Sequence, residues 1–170
     1  KTPHHQENLD VLLDVFPDAK VIHTHRDPLA VVPSFSSMMA HAGAMLGMNV
    51  HLASPKGYQL PDAVVDQARR VARHGASIRL FIEPEAAVSG AAAVYTDVWT
   101  SMGQEEESAE RRRIFAPYQV DAALMARAGR DARFMHCLPA HRGEEVTAEV
   151  IESPASIVFD QAENRLHTQK

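Results

Sequence analysis

The chain has 170 residues, of which 45% are hydrophobic and 23% charged, and its formal net charge is −5. This size and composition suit one globular domain with a sizeable core, and the acidic balance argues against bulk binding of nucleic acid. No apolar run reaches the roughly 18 residues that span a membrane, and a single cysteine excludes an internal disulfide bond, which favours a reducing compartment such as the cytoplasm.

The first part of the chain predicts a helix, a strand and a second helix. Apolar residues recur at helical spacing over residues 4–16, which predicts an amphipathic helix. A compact β-rich run predicts a strand over residues 20–25. A helix is then expected over residues 28–46, in which Pro33 should produce a kink or shift the start.

From residue 49 onward, predicted strands and helices alternate. The predicted strands cover residues 49–53, 77–82, 92–97, 133–137 and 156–159. The predicted helices cover residues 84–88, 104–114 and 119–128, and others start at Pro61, Thr147 and Asp160. Asp160 followed by Glu163 resembles a capping box. Such alternation predicts an α/β fold, a Rossmann-like three-layer domain whose mostly parallel sheet has helices on both faces. We expect one domain over residues 1–170.

Polar residues collect just after the predicted strand at 133–137. Leu138 and Pro139 end this strand, because proline cannot donate a hydrogen bond to a central ladder. Ligands bind at the carboxyl ends of strands in open α/β sheets. Cys137, the one cysteine of the chain, is therefore a candidate contact for a ligand. The alternative is that it is a small core residue, which is the commoner role of a lone cysteine.

Two pairs of histidines precede this region. His23 and His25 alternate onto one face of a predicted strand, and His4 and His5 are adjacent. Neither spacing comes with the third and fourth ligands of a recognisable zinc site. We therefore predict no metal site from the sequence.

Three motifs resemble the signature of ornithine carbamoyltransferases. In chain order they are Asp-Val-Trp-Thr-Ser-Met-Gly-Gln at residues 97–104, His-Cys-Leu-Pro-Ala-His-Arg-Gly at residues 136–143 and Val-Phe-Asp-Gln-Ala-Glu-Asn-Arg at residues 158–165. The resemblance runs from about Gly43 to the end of the chain. It matches the second, ornithine-binding half of that family, whereas the first half, with most of the carbamoyl phosphate site, has no match here.

The resemblance implies a reaction and a substrate site. In that family a carbamoyl group moves from carbamoyl phosphate to the side-chain amine of ornithine, giving citrulline and phosphate in arginine biosynthesis, without a metal or organic cofactor. By resemblance, Asp97 takes the α-ammonium group of ornithine, aided by the Ser101 hydroxyl. The backbone amide of Met102 faces the α-carboxylate.

The resemblance also assigns residues to the reacting groups. The Cys137 side chain and the Leu138 carbonyl flank the reacting amine and the carbamoyl group. Arg165 polarises the carbamoyl oxygen and stabilises the charge that develops as the amine attacks. His136 is expected to orient its neighbours rather than act as a general base.

Each of these residues has a structural alternative. Asp97 could be a turn or cap residue, and Ser101 could cap the helix that follows. Met102 could fill the core, and Arg165 could be an exposed helix residue that pairs with a nearby carboxylate.

The first 41 residues instead resemble sulfotransferases that use phosphoadenosine phosphosulfate, over residues 1–5 and 18–30. In that family an arginine at a strand end and a serine eight positions later hold the ribose phosphate. Here they would be Arg26 and Ser34, and a guanidinium fork suits a phosphate. The phosphate-binding loop and catalytic base of that family have no match, so sulfotransferase activity is not expected. We expect a chimera that joins near residues 40–43.

The sequence supports three functional hypotheses. The first is the ornithine-binding half of an ornithine carbamoyltransferase, inactive or nearly so alone, which uses carbamoyl phosphate only when a partner domain is supplied. The second is a catalytically inert chimeric or engineered scaffold. The third is a module that binds adenosine bisphosphate through Arg26 and Ser34. No particular oligomeric state is predicted.

Overall fold

The computed structural model describes residues 31–99 and 108–168. The described helices are α1 (Val31–Met45), α2 (Asp62–Val71), α3 (Pro84–Val88), α4 (Ser108–Phe115), α5 (Ala122–Arg127), α6 (Ala148–Ile151) and α7 (Val158–Thr168). The described strands are β1 (Val50–Ala53), β2 (Ile78–Phe81), β3 (Ala93–Thr96) and β4 (Arg133–His136). No helix in these ranges is long and apolar enough to cross a lipid bilayer.

The first half of the described chain is a β-α-β unit against which α1 packs. β1 pairs with β2 in parallel, with Val50 opposite Ile78, and α2 connects the two strands. The buried residues of this half come from both helices and from β2 and its neighbours. They are Ala40, Ala44, Leu60, Val65, Ala68 and Ile78. The small alanines let the two helices approach each other closely.

The second half repeats this arrangement around β3 and β4, which also pair in parallel. Its core is larger and is centred on Phe134, which is fully buried. The other buried members are Val94, Val120, Leu124, Val146, Val150, Ile151 and Val158. Every described strand pairing is parallel and is connected through helices, as the alternating sequence pattern predicts. The described strands form two separate two-stranded sheets, however, and not the single sheet that was predicted.

Aromatic side chains pack together near the end of β3. Phe115 contacts Tyr58 edge-on, at 5.1 Å between ring centroids, and lies 6.2 Å from Trp99 and 6.1 Å from Tyr118. The Tyr118 hydroxyl donates to the carbonyl of Ile82. This cluster joins the loop after β1 to the segment after β3, and so helps to fix the backbone around Asp97.

One predicted strand is wrong. Residues 156–159 do not form a strand, because Ser156 makes only an isolated parallel bridge with Phe134 and α7 begins at Val158. The carbonyl of Ile157 already accepts the first helical hydrogen bond, from the amide of Gln161. A buried Val158 next to an exposed Phe159 is expected both in a strand and in the first turn of a helix. This short run therefore did not distinguish the two structures.

The predicted capping box is wrong for the same reason. Asp160 lies inside the first turn of α7 rather than before it. Asp121 is a true cap, since its carboxylate accepts from the amide of Leu124 at 2.7 Å. The helix predicted over residues 119–128 therefore begins only at Ala122. The predicted elements at 4–16 and 20–25 lie outside the described residues.

Candidate functional site

The carboxyl ends of β3 and β4 lie side by side. Thr96 is opposite His136 in the parallel register, so the residues that follow them, Asp97 and Cys137, leave the sheet at the same edge. Neighbouring parallel strands bring their carboxyl ends together, which is where open α/β sheets bind ligands. The structure thus unites two motifs that are 40 positions apart in the chain.

Asp97 and Cys137 contact each other directly. The Cys137 thiol donates a hydrogen bond to Oδ1 of Asp97, with 2.9 Å between sulfur and oxygen. The same oxygen accepts from the backbone amide of Val98 at 2.8 Å. Neither contact engages Oδ2 of Asp97. Cys137 is half-buried and lies at the site edge, so it is not a core residue.

The thiol is held in its protonated form. Burial raises the pKa of Cys137 to about 12, and the hydrogen bond to Asp97 and the negative charge of that carboxylate act in the same direction. A protonated thiol is a poor nucleophile. Cys137 therefore donates a hydrogen bond at neutral pH and does not attack a substrate covalently.

Tyr95 stands next to this pair and is also neutral. Burial raises the pKa of the Tyr95 hydroxyl to about 12, and the neighbouring Cys137 and Asp97 add to this effect. The carboxylate of Asp97 is thus the one charged group of the three. A single negative charge beside two neutral polar groups suits an ammonium ligand better than an anionic one.

Gln161 joins α7 to both strands. Its Oε1 accepts from the backbone amide of His136 at 3.1 Å, and its Nε2 donates to the Tyr95 hydroxyl at 3.0 Å. The two contacts fix which end of the side-chain amide faces each partner. Arg165 follows four residues later on the same helix. Gln161 therefore fixes the start of the helix that carries this predicted catalytic residue.

His136 is a buried, neutral ring held between the backbone and a carboxylate. Its Nδ1 accepts from the amide of Leu138 at 2.8 Å, so the ring proton is on Nε2. Nε2 faces Oε1 of Glu145 at 3.3 Å, although the N–H is not aligned for a full hydrogen bond. These contacts support the interpretation of His136 as an orienting residue.

Leu138 has an unusual backbone conformation at the site edge. Its φ is +54°, in the left-handed region, and the peptide bond to Pro139 is cis. A non-glycine residue in this region carries about 1–2 kcal/mol of strain. The hydrogen bond from the Leu138 amide to the His136 ring stabilises the turn, and such strained positions are frequent at binding sites.

A second polar group lies in the loop after Pro139. Glu145 is fully buried. Burial alone would raise its pKa, but the nearby His136 ring and the hydrogen bond from the His141 amide outweigh burial and hold the pKa below its usual value. Gly143, with φ +89°, lies in the turn that brings His141 back beside Glu144, whose amide donates to the His141 carbonyl at 3.0 Å. His141, Glu144 and Glu145 each place one potential ligand atom within 4.8 Å of the others.

The predicted site residues are located only in part. The structure brings Asp97, Cys137 and Leu138 together. Ser101 and Met102 lie outside the described residues, and Arg165 is on α7 with its side chain outside the described part. The roles that the resemblance assigns to these residues remain predictions.

The predicted nucleotide contacts, Arg26 and the Ser34 side chain, lie outside the described part of the structure. Ser34 is in the first turn of α1, and its side chain is outside the described part. The histidines at positions 4, 5, 23 and 25 lie outside the described residues too.

Three polar residues near the site, Tyr95, Gln161 and Glu145, were not predicted from the sequence. Gln161 and Glu145 adjoin or belong to the recognised motifs, but nothing in their spacing separates a buried polar residue from a solvated one. Val146, which follows Glu145 directly, is fully buried. An apolar residue directly after two glutamates was the one sequence feature that could have indicated that this segment is buried. Tyr95 lies in the predicted strand 92–97, and tyrosine is common in strands, so nothing in the sequence marked it as a site residue.

Comparison with known proteins gives one consistent family. Residues 34–170 match the family model for the Aspartate/ornithine carbamoyltransferase, Asp/Orn binding domain. The chain is 57% identical over 130 residues to an ornithine carbamoyltransferase of Acidothermus cellulolyticus, covering 76% of this chain and 42% of the relative. It is 59% identical over 129 residues to that of Symbiobacterium thermophilum, covering 75% of this chain and 42% of the relative.

Solved structures agree with this match. The ornithine carbamoyltransferase from Pyrococcus furiosus superposes with a TM-score of 0.74 at 52% identity, over 79% of this chain and 43% of that one. This likeness confirms the prediction of an α/β, Rossmann-like fold. The match also begins at residue 34, within the segment that resembled a sulfotransferase. The chain spans about two fifths of the length of these relatives. It belongs to the aspartate/ornithine carbamoyltransferase family, and residues 34–170 are its Asp/Orn binding domain.

Proposed function

We propose that this chain is the ornithine-binding part of an ornithine carbamoyltransferase. The reaction transfers a carbamoyl group from carbamoyl phosphate to the side-chain amine of ornithine and yields citrulline and phosphate. The observation that carries the proposal is the contact between Asp97 and the protonated thiol of Cys137 at the ends of β3 and β4. A reducing compartment keeps that thiol free, so we place the protein in the cytoplasm.

Asp97 is the proposed partner of the α-ammonium group of ornithine. Its Oδ1 is occupied by the Cys137 thiol and the Val98 amide, while Oδ2 takes no part in either contact. Ser101 adds a hydroxyl to the α-ammonium group, and the Met102 amide faces the α-carboxylate.

The reacting amine is proposed to lie between Cys137 and Leu138. The Leu138 carbonyl and the thiol position the amine as it attacks the carbamoyl carbon, and phosphate leaves. Arg165 polarises the carbamoyl oxygen and stabilises the charge that develops on it. Positioning of two bound reactants supplies much of the acceleration in such a site.

Carbamoyl phosphate requires groups beyond those of this chain. The Ser-Thr-Arg-Thr phosphate loop of the family has no match in these 170 residues. We therefore expect these residues alone to bind ornithine weakly and to form little or no citrulline, because several contacts that stabilise the transition state are missing.

A fusion tests this proposal. The part of the Pyrococcus furiosus enzyme that this chain does not span is joined to residues 34–170, and citrulline is measured with carbamoyl phosphate and ornithine. We expect citrulline from the fusion. Asp97→Asn should lower kcat/KM about 100-fold, since losing one partner of a buried charge pair costs about 2–5 kcal/mol.

The matched control is Asp160→Asn, which makes the same change at an exposed position of α7 and should leave kcat/KM unchanged. Equal activity of the Asp97→Asn and parent fusions would contradict the assignment of Asp97. A folded fusion that binds carbamoyl phosphate but forms no citrulline would contradict the proposed reaction.

The sulfotransferase-like segment leads to a separate prediction about the binding of adenosine bisphosphate. If Arg26 and Ser34 form a phosphate site, adenosine bisphosphate should protect the chain from thermal unfolding, and Arg26→Ala should abolish the protection. The family match from residue 34 onward supports ornithine as the ligand instead. We expect no protection. In that case the first 41 residues resemble a sulfotransferase in sequence but do not bind its nucleotide.

A further inference from the structure

The loop between Pro139 and Val146 holds two carboxylates that share one feature. In each, one oxygen is anchored by a protein donor and the other oxygen is buried without a hydrogen-bond partner among the described residues. Oε1 of Glu144 pairs with the Arg112 guanidinium at 3.0 Å, while its Oε2 is buried and unpartnered. Oε1 of Glu145 accepts from the His141 amide and faces the His136 ring, while its Oε2 is buried and unpartnered.

The unpartnered oxygen of Glu145 is the stronger observation. The side chain of Glu145 is 0% exposed, and buried charges in proteins are normally paired or coordinate a metal. The ring Nδ1 of His141 lies 3.9 Å from this oxygen, beyond hydrogen-bond distance. A positively charged group that fits between the histidine and the two carboxylates would satisfy all three.

We propose that His141, Glu144 and Glu145 form a binding site for a first-row divalent metal ion, with zinc as the ion of choice. One imidazole nitrogen and two carboxylate oxygens are a ligand set that zinc accepts, with water in the fourth position. The site is separate from the proposed ornithine contacts at Asp97 and Cys137, and nothing in the proposed reaction requires it.

The geometry allows the site to close. The three potential ligand atoms lie within 4.8 Å of one another, whereas ligands of tetrahedral zinc are about 3.4 Å apart given bonds of about 2.1 Å. The widest of these separations must therefore shrink by up to about 1.4 Å. His141 is half-exposed and can make this shift by rotating its side chain, whereas Glu145 is already fixed.

The anchored oxygens act as supports of the ligands. The amide of His141 and the ring of His136 hold the Glu145 carboxylate in place, and Arg112 holds that of Glu144. Such outer contacts orient the ligands of known metal sites and raise their affinity. Because His136 directly precedes Cys137, a bound ion also stiffens the loop that follows β4.

Calorimetric titration of the full chain with zinc chloride tests the proposal. The parent should bind one more equivalent of zinc than His141→Ala, or bind its tightest equivalent at least tenfold more strongly. Glu144→Gln should weaken the same equivalent, since it removes the charge of a second ligand. Both positions are partly exposed, so the variants should keep the fold, which circular dichroism checks.

The matched control is His167→Ala. His167 and Glu163 form another histidine–glutamate pair four residues apart, 3.7 Å between their atoms, but both side chains are exposed. This variant should bind zinc like the parent. Equal zinc stoichiometry and affinity in the parent, His141→Ala and Glu144→Gln would overturn the proposal. So would unchanged imidazole NMR signals of His141 when one equivalent of zinc is added to the parent.

Discussion

The carboxylate of Asp97 adds to the effect of burial on two neighbouring polar groups, Cys137 and Tyr95. It accepts a hydrogen bond from Cys137, and its charge contributes to the raised pKa values of Cys137 and Tyr95. The strand ends therefore present one anionic group beside a neutral thiol and a neutral phenol. A protonated amine that enters this site is attracted by the Asp97 carboxylate. Because Cys137 is protonated, the thiol adds no second negative charge.

Thiol chemistry tests this account of Cys137. The chain has one cysteine, so the rate of alkylation by iodoacetamide reports on a single group. With a pKa raised from 9.0 to about 12, the folded protein should react slowly at pH 8, and the rate should continue to rise beyond pH 10. The chain unfolded in urea should react with an ordinary thiol profile.

Asp97→Asn supplies the control for that profile. Removing the negative charge should shift the reactivity curve of Cys137 to lower pH, because the hydrogen bond to the carboxylate and its charge both raise the pKa. An identical curve for the parent and Asp97→Asn would show that Asp97 does not act on the thiol.

At the scale of elements, Gln161 links the start of α7 to the ends of β3 and β4. Replacing it by leucine removes the acceptor of the His136 amide and the contact that Gln161 makes to the Tyr95 hydroxyl. An unsatisfied buried amide costs about 1–3 kcal/mol. We expect Gln161→Leu to lower the free energy of unfolding in urea by about this amount, and to weaken ornithine binding.

Ala162→Leu introduces the same side chain at the next, exposed position of α7 and should leave both quantities unchanged. Equal stability of Gln161→Leu and Ala162→Leu would contradict the role given to Gln161.

The close approach of α1 to β1 depends on one glycine. A Cβ atom at Gly43 would lie 2.5 Å from Cγ2 of Val50, far inside van der Waals contact. Gly43→Ala should therefore destabilise the fold by about 1–3 kcal/mol, as overpacking does, despite the better helix propensity of alanine. Urea denaturation measures the change.

Val50→Ala removes the atom that clashes. In that background Gly43→Ala should be neutral or stabilise by up to about 1 kcal/mol, through helix propensity alone. A Gly43→Ala penalty that persists in the Val50→Ala background would show that the clash is not its cause.

The sequence predicts most elements but fails where a short pattern fits two structures. The alternation of strands and helices identified β1 to β4 and the parallel pairing, because each strand is mostly apolar and bounded by turn residues. Residues 156–159 were too few to separate a strand from the first turn of α7. At the site, the motifs indicated Asp97 and Cys137. The bridge through Gln161 and the buried Glu145 depend on tertiary contacts between distant segments, which spacing alone does not encode.

At the scale of the whole molecule, the raised pKa values make stability depend on alkaline pH. Cys137 and Tyr95 have folded-state pKa values of about 12, above their ordinary 9.0 and 10.0. The folded state therefore retains protons that the unfolded chain releases. This contribution is fully present below about pH 9 and is lost as pH rises towards 12.

The urea midpoint should consequently fall between pH 9 and pH 11, and less steeply in Cys137→Ser, which has no thiol to ionise. Parallel pH curves of the parent and Cys137→Ser would show that the thiol makes no such contribution.

At this scale, the chain spans about two fifths of the length of its relatives, so the proposed binding of ornithine can be measured apart from the proposed reaction. The proposed ornithine contacts lie at the ends of β3 and β4, in the segment after Asp97 and on α7. The proposed reaction also needs groups that hold carbamoyl phosphate. The proposal for these 170 residues is therefore tested by measuring whether they bind ornithine.

The most direct test is an amide NMR titration of the isotope-labelled chain with ornithine, repeated with Asp97→Asn. In the parent, the shifts should saturate and be centred on Asp97, Cys137 and Leu138, whereas the variant should show no saturating shifts. A dispersed spectrum of the parent that does not respond to ornithine, or an equal response of parent and variant, would contradict an ornithine site organised by Asp97.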